Sequence, residues 1–143
     1  MAAKRPVKPS SRAASTRMKA VRRKGTAPEL VVGSLLRQLG HKVRRNVKSL
    51  VGSPDFVLAD GPVAIFVHGC FWHRHPRCRY ATTPKKNRAF WAQKFLDNQS
   101  RDRRVAAKLR RQGFRVLTVW ECQTRRVGLD VRMRRYLGER SDE

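Results

Sequence analysis

Pro54-Asp55-Phe56-Val57-Leu58-Ala59-Asp60-Gly61-Pro62-Val63-Ala64-Ile65-Phe66-Val67 reads as two extended segments folded back on one another. Phe56–Ala59 is a short apolar run, Val63–Val67 is rich in β-branched and aromatic residues, and Asp60-Gly61 between them is a hairpin-turn dipeptide. Upstream, Lys42–Val47 alternates loosely as a third extended segment. Further upstream a helix is expected from Thr26. Thr26 and Glu29 have capping-box spacing, Pro28 lies in the first turn, and Leu30, Leu35, Leu36 and Leu39 form an apolar stripe that Gly40 ends. Downstream, a long polar helix is expected over about Lys86 to Gln112, with Phe90, Trp91, Phe95, Val105 and Leu109 as its buried residues. Phe114–Trp120 is another strand, and a short basic helix near Val131–Leu137 closes the chain. Hairpin and helical crossover together predict an α/β domain with a mixed central sheet flanked by helices.

The chain has 143 residues, 34 of them Lys or Arg against 10 Asp or Glu, for a net charge of +24. Such a charge calls for a polyanion, with DNA or RNA ahead of an anionic membrane surface because no basic segment has a clean amphipathic face. An apolar content of 40% is too high for a disordered basic tail. No apolar run is long enough to span a bilayer and no secretory stretch is evident, so an integral membrane protein and a secreted enzyme are both poor readings. Residues 1–25 carry nine cations and no acid. The expected organisation is a flexible basic arm over 1–18 and a single domain over 19–143.

Residues 68–83 hold three of the four histidines, two cysteines and three aromatics with little periodicity, so something other than a hydrophobic core organises this loop. Cys70, His73, His75 and Cys78 fall within nine residues, and Cys122 directly follows the strand ending at Trp120. Cys70, His75, Cys78 and Cys122 would supply the four ligands of a structural zinc site and leave one histidine over. The plainer alternative buries Cys122 as a small hydrophobe and leaves the histidines solvated.

An acid on a DNA-holding surface is electrostatically unfavourable unless it binds a hard cation. Asp55, which opens a strand after Gly52-Ser53-Pro54, is the best candidate for such a metal carboxylate, although Pro-Asp is also an ordinary turn dipeptide. The capping box accounts for Glu29, turn chemistry for Asp60, and pairing with neighbouring arginines for Asp97 and Asp102.

Gly52-Ser53-Pro54-Asp55-Phe56, Ile65-Phe66-Val67-His68-Gly69-Cys70-Phe71-Trp72-His73, Arg101-Asp102-Arg103-Arg104 and Val119-Trp120-Glu121-Cys122 resemble the very short patch repair endonucleases, over about Met18 to Arg126. The resemblance implies a restriction-endonuclease-like fold of the PD-(D/E)XK superfamily with a structural zinc loop. It implies a strand-specific nick beside T:G mismatches left by deamination of 5-methylcytosine. Asp55 would hold Mg²⁺ with the backbone carbonyl of Val67, and His73, paired with Asp102, would activate water while Glu29 and His68 support the site. The implied zinc ligands are Cys70, His75, Cys78 and Cys122, and Phe71, Trp72 and Trp91 would wedge into the base stack, with Met18 entering from the other groove. Double-stranded DNA carrying the mismatch is the implied partner, mismatch-repair and repair-synthesis proteins follow it, and a cytoplasmic, nucleoid-associated, bacterial-type monomer is implied. The chain departs from the superfamily's Glu-x-Lys, which is Val67-His68-Gly69 here, from the family's usual threonine at Val67, and by one extra residue between His75 and Cys78. Competing readings are a nuclease of other mismatch specificity, a non-catalytic mismatch- or structure-binding protein, and a basic RNA-binding domain.

Overall fold

The computed structural model describes residues 25–59 and 61–138. The basic arm, Met18 and Asp60 therefore lie outside the described residues. Helix α1 (Ala27–Gln38) starts as its sequence dictates: the Thr26 hydroxyl accepts the Glu29 N–H at 3.4 Å and Pro28 occupies the first turn. The Glu29 carboxylate bonds Gly25 N–H at 2.9 Å and is itself buried, so capping is only part of what this residue does. Val32, Leu36 and Leu39 bury the inner face, whereas Leu30, expected in that stripe, is 57% exposed.

Strands β1 (Val43–Arg45), β2 (Phe56–Leu58), β3 (Val63–His68) and β4 (Arg115–Trp120) form one sheet in the order β1-β2-β3-β4. The first two pairings are antiparallel and β3–β4 is parallel, so the sheet is mixed. Helix α2 (Arg88–Arg111) makes the crossover that a parallel pair requires. Among the described residues two short helices follow β4: α3 (Glu121–Thr124), four residues long and so too short to show a period, and α4 (Leu129–Leu137).

Both faces of the sheet are covered. Ile65 and Val63 of β3 point to one side with Leu36 of α1, Val119 of β4 and Met133 of α4; Ala64 and Phe66 point to the other, against Leu109 of α2. A strand buried on both faces needs apolar residues at every position, which is why Val63–Val67 runs apolar without alternation.

The loop leading into Asp55 is pressed on α2. Gly52 has φ +75, and a Cβ built there would lie 2.4 Å from Val105 Cγ1. Gly69, in the loop after β3, has only ordinary contacts at 3.5 Å and beyond. Gly52→Ala is therefore expected to cost about 2–3 kcal/mol through backbone strain and overpacking, and Gly69→Ala well under half of that, as read from urea unfolding midpoints.

Candidate active site and metal centre

Asp55 lies where the β2–β3 ladder runs out. The pairing of Phe56 with Ile65 would, if continued, set Pro54 opposite Val67, and proline has no N–H to give. The Pro54 carbonyl instead accepts Val47 N–H at 3.1 Å, and Asp55 Oδ2 accepts Val67 N–H at 2.7 Å. Within a strand the N–H and C=O of one residue face the same side, and Pro62 already faces β4 through its bond from Arg115 N–H. Val67, an odd number of residues on, therefore turns its carbonyl toward Asp55 as well. Burial pushes the Asp55 carboxyl up to about 6; the Val67 N–H works against this, the Glu29 carboxyl adds to it by charge and by hydrogen bond, and His73 lowers it. Asp55, Glu29 and the Val67 carbonyl thus converge as hard oxygen donors, the kind that suit Mg²⁺.

Beyond β3 the chain turns tightly, His73 N–H bonding the Gly69 carbonyl and His75 N–H that of Cys70, both at 3.1 Å. His73 Nδ1 meets Asp102 Oδ2 of α2 at 2.6 Å. Asp102 is thus partnered by a histidine, not by the neighbouring arginines expected of an ordinary surface acid. Burial opposes its ionisation, yet the hydrogen bond and charge of His73, aided by His68 and Arg101, hold it below the usual carboxylate value. The His68 ring lies flat on that of His73, centroids 3.9 Å apart and planes 7° apart. Burial and the charge of His73 bring His68 down to about 4. His68, His73 and Asp102 have donor atoms close enough to suggest a metal tripod, but parallel rings direct their nitrogens side by side and His73 Nδ1 is already bonded. The geometry suits an imidazole base oriented by a carboxylate. These three residues line one end of a 380 Å³ cleft between α2 and strands β3 and β4.

Two residues that the sequence reading missed fix this loop. Asn98, buried on α2 one helical turn before Asp102, donates through Nδ2 to the Trp72 carbonyl at 3.0 Å, and its Oδ1 accepts from Arg101. The four-residue spacing to Asp102 was the signal that could have found it. Arg74, in the left-handed region at φ 56, bonds the carbonyls of Ala81 and Thr82 and the Thr83 hydroxyl, with its guanidinium 4.0 Å from the centroid of Phe95. Nothing in a cation-rich sequence singles it out.

Cys70, His75, Cys78 and Cys122 bring one donor atom each within 4.8 Å of all the others, a set that could hold a metal ion. His75 Nδ1 is 3.4 Å from Cys122 Sγ and 3.7 Å from Cys70 Sγ, and Cys122 N–H donates to Cys70 Sγ at 3.4 Å. The structure sorts the two loop histidines, His75 to the thiols and His73 to Asp102. Arg77, between His75 and Cys78, is in the left-handed region at φ 56. Burial pushes the Cys70 thiol up to about 12. Cys78, against a cost of desolvation, is held below the ordinary thiol value by the Tyr80 N–H, by the other two cysteines and by the Ala81 N–H.

Phe71 meets Trp72, Trp91 and Phe95 edge-on at 5.0, 5.5 and 5.3 Å. Trp91 is buried with Phe90 and Phe95, while Phe71 and Trp72 are half-buried at its margin. Of the four residues expected to enter DNA, three come together and Met18 lies outside the described residues.

Residues 7–79 match the family described as DNA mismatch endonuclease Vsr. The chain belongs to the Vsr family. It is 42% identical over 121 residues to the Type II nicking enzyme V.XorIIP of Xanthomonas oryzae pv. oryzae, covering 84% of this chain and 88% of that one. It is 42% identical over 111 residues to the DNA mismatch endonuclease Vsr of Escherichia coli, covering 78% and 70% respectively. The Type II nicking enzyme V.NmeAIP of Neisseria meningitidis is 41% identical over 100 residues, 70% of this chain and 71% of its own.

Asp55 gives this Vsr-family protein a pH signature. Its folded value near 6 exceeds the ordinary 3.8, so the folded state binds the proton more tightly and loses stability as pH rises between those values. Above pH 6 the ionised carboxylate costs about 2–3 kcal/mol. Asp55→Asn is expected to stabilise the Mg²⁺-free protein by that order at pH 8, and the gain should vanish below pH 4 in chemical denaturation. A gain independent of pH would contradict the burial argument.

Proposed function

We propose that the chain is a strand-specific DNA endonuclease that nicks beside T:G mismatches, by Mg²⁺-dependent hydrolysis with His73 as general base. The observation that carries this reading is the His73–Asp102 contact of 2.6 Å beside the paired carboxyls of Asp55 and Glu29. Membership of a family described as DNA mismatch endonucleases supports it, as does the cation excess, which suits a phosphate backbone.

Asp102, ionised, keeps the Nδ1 proton on His73 and leaves Nε2 with its lone pair free. Nε2 takes the proton from the attacking water, and the imidazolium so formed is stabilised by Asp102. His68 remains neutral near pH 7, so its stacked ring holds His73 without adding repulsion when the proton arrives. Asp55, with the Val67 carbonyl and Glu29, would hold Mg²⁺, which when bound polarises the phosphate and neutralises charge in the displacement. A carboxyl that burial and a second acid have made reluctant to ionise gains when a cation takes the proton's place. Because the contact assigned to Val67 is through its main chain, valine serves there in place of threonine. Glu-x-Lys is absent, and its tasks fall to the main chain of Val67 and to the imidazoles.

Phe71 and Trp72, at the exposed margin of their cluster, are the assigned wedge, with Trp91 as the buried ring behind them. Unstacking costs least at a mispaired step, so insertion itself favours mismatches. Zinc is the assigned occupant of the cysteine–histidine cluster: Zn–S and Zn–N bonds of about 2.0–2.3 Å give a tetrahedron with edges of roughly 3.4–3.8 Å, and the separations from His75 Nδ1 to the Cys122 and Cys70 sulfurs are 3.4 and 3.7 Å. The layout of a mixed sheet, an acid opening β2 and a crossover helix supports a restriction-endonuclease-like fold. A second reading, the same nicking chemistry in a different sequence context, draws on the relatives named Type II nicking enzymes.

On a duplex with one T:G mismatch, wild-type protein is expected to make a single Mg²⁺-dependent nick beside the mismatched T and none in the paired control. Asp55→Ala and His73→Ala should each lower the single-turnover rate by at least about a hundredfold while duplex binding survives, a loss in line with removing a general base or a metal ligand. Tight binding without nicking would favour the non-catalytic reading. Metal analysis should find one zinc per chain. Stripping it with a chelator, or Cys78→Ala, should lower the melting temperature by at least about 5 °C, because binding free energy at a structural site is folding free energy.

A further inference from the structure

Trp120 ends β4 and pairs in register with His68, the last residue of β3, so both side chains leave the sheet on the same face. Its backbone is fixed twice, by that pairing and by its N–H bond to Gln123 Oε1 at 3.0 Å. The indole stacks on His75, centroids 4.4 Å apart and planes 12° apart. It also meets His68 at 5.4 Å and 73°, an edge contact. His68 in turn lies flat on His73, and His73 bonds Asp102. A continuous run of rings therefore joins the cysteine–histidine cluster to the imidazole assigned as general base.

We propose that Trp120 is a positioning residue for nicking: it takes its placement from the metal-centre histidine His75, passes it to His68, and so holds His73 in line with Asp102 and the scissile phosphate. The inference rests on His73 as the base. Stacked and edge-on ring contacts favour one placement of each ring, and with His68 on its face and Asp102 on Nδ1 the partly buried His73 imidazole is kept in one rotamer. A catalytic group displaced by about 1 Å costs up to roughly a hundredfold in rate. The ring contacts of Trp120 are with His68 and His75, and no hydrogen bond joins it to Asp55 or Asp102, so the histidines are the route by which it is expected to act.

The test compares Trp120→Leu and Trp120→Phe with wild type, using zinc-loaded protein and a T:G duplex. In Trp120→Leu the single-turnover rate at saturating enzyme should fall at least about tenfold, within the range for a misplaced group, while the duplex Kd stays within about twofold and zinc content is unchanged. Trp120→Phe should recover much of the rate. Independently of activity, the ring protons of His68 and His75 should lose their indole ring-current shift in Trp120→Leu, and the His73 ring protons should move with them although Trp120 does not touch that ring. A wild-type rate, or an unmoved His73 signal, in zinc-loaded Trp120→Leu overturns the proposal. Should the leucine variant lose zinc, Trp120→Phe decides alone: an intermediate rate with shifted His73 protons supports the relay, and wild-type values for both overturn it. His73→Ala nicking at the wild-type rate would instead sink the base assignment, a failure distinguishable from an unchanged Trp120→Leu.

Discussion

The parallel pairing of β3 with β4 is the constraint on which the candidate site depends. Its six register pairs run from Val63–Arg115 to His68–Trp120, and both strands end at the same level of the sheet. Residues immediately after them, Cys70 on one side and Cys122 on the other, therefore arrive together although 52 positions apart. The crossover that makes the pairing parallel is α2, and its buried face, held by Leu109 on the sheet, sets Asn98 and Asp102 against the loop beyond β3. One topological choice thus delivers the thiols, the imidazoles and the carboxylate that orients one of them.

A second constraint is local. Proline at 54 offers the Val67 carbonyl no N–H and turns its own carbonyl to Val47, so the Val67 N–H is met instead by the Asp55 carboxylate. The acid is thereby fixed in a buried position beside another acid, an arrangement that costs stability at neutral pH. Such a cost is expected where a fold reserves a place for a cation rather than for packing.

The strands and long helices were legible because their periods and stops are local: Asp60-Gly61 between two apolar runs, Gly113 after a long polar helix, Thr26 and Pro28 at a helix start. The four members of the cysteine–histidine cluster were legible from residue type and spacing alone. What spacing alone did not show was the partner of Asp102, read there as paired with arginines, since that depends on the turn that sends His73 toward α2. Leu30 was misjudged because it lies on the edge of the α1 stripe, where a rotation of one residue separates core from solvent. Asn98 offered only its four-residue spacing to Asp102, and Arg74 stayed hidden because its main partners are backbone carbonyls, which carry no sequence signal.

The segment from Cys70 to His75 serves two centres at once. Cys70 and His75 belong to the thiol cluster, His73 to Asp102, and Trp72 is held by its carbonyl to Asn98. A residue inserted or deleted anywhere within it would leave at least one of these partners out of reach, whereas Pro76 and Arg77, between His75 and Cys78, belong to neither centre. Length variation among related chains should therefore fall after His75 and spare the six positions from Cys70 to His75, and grafts of altered specificity have to carry that hexapeptide whole.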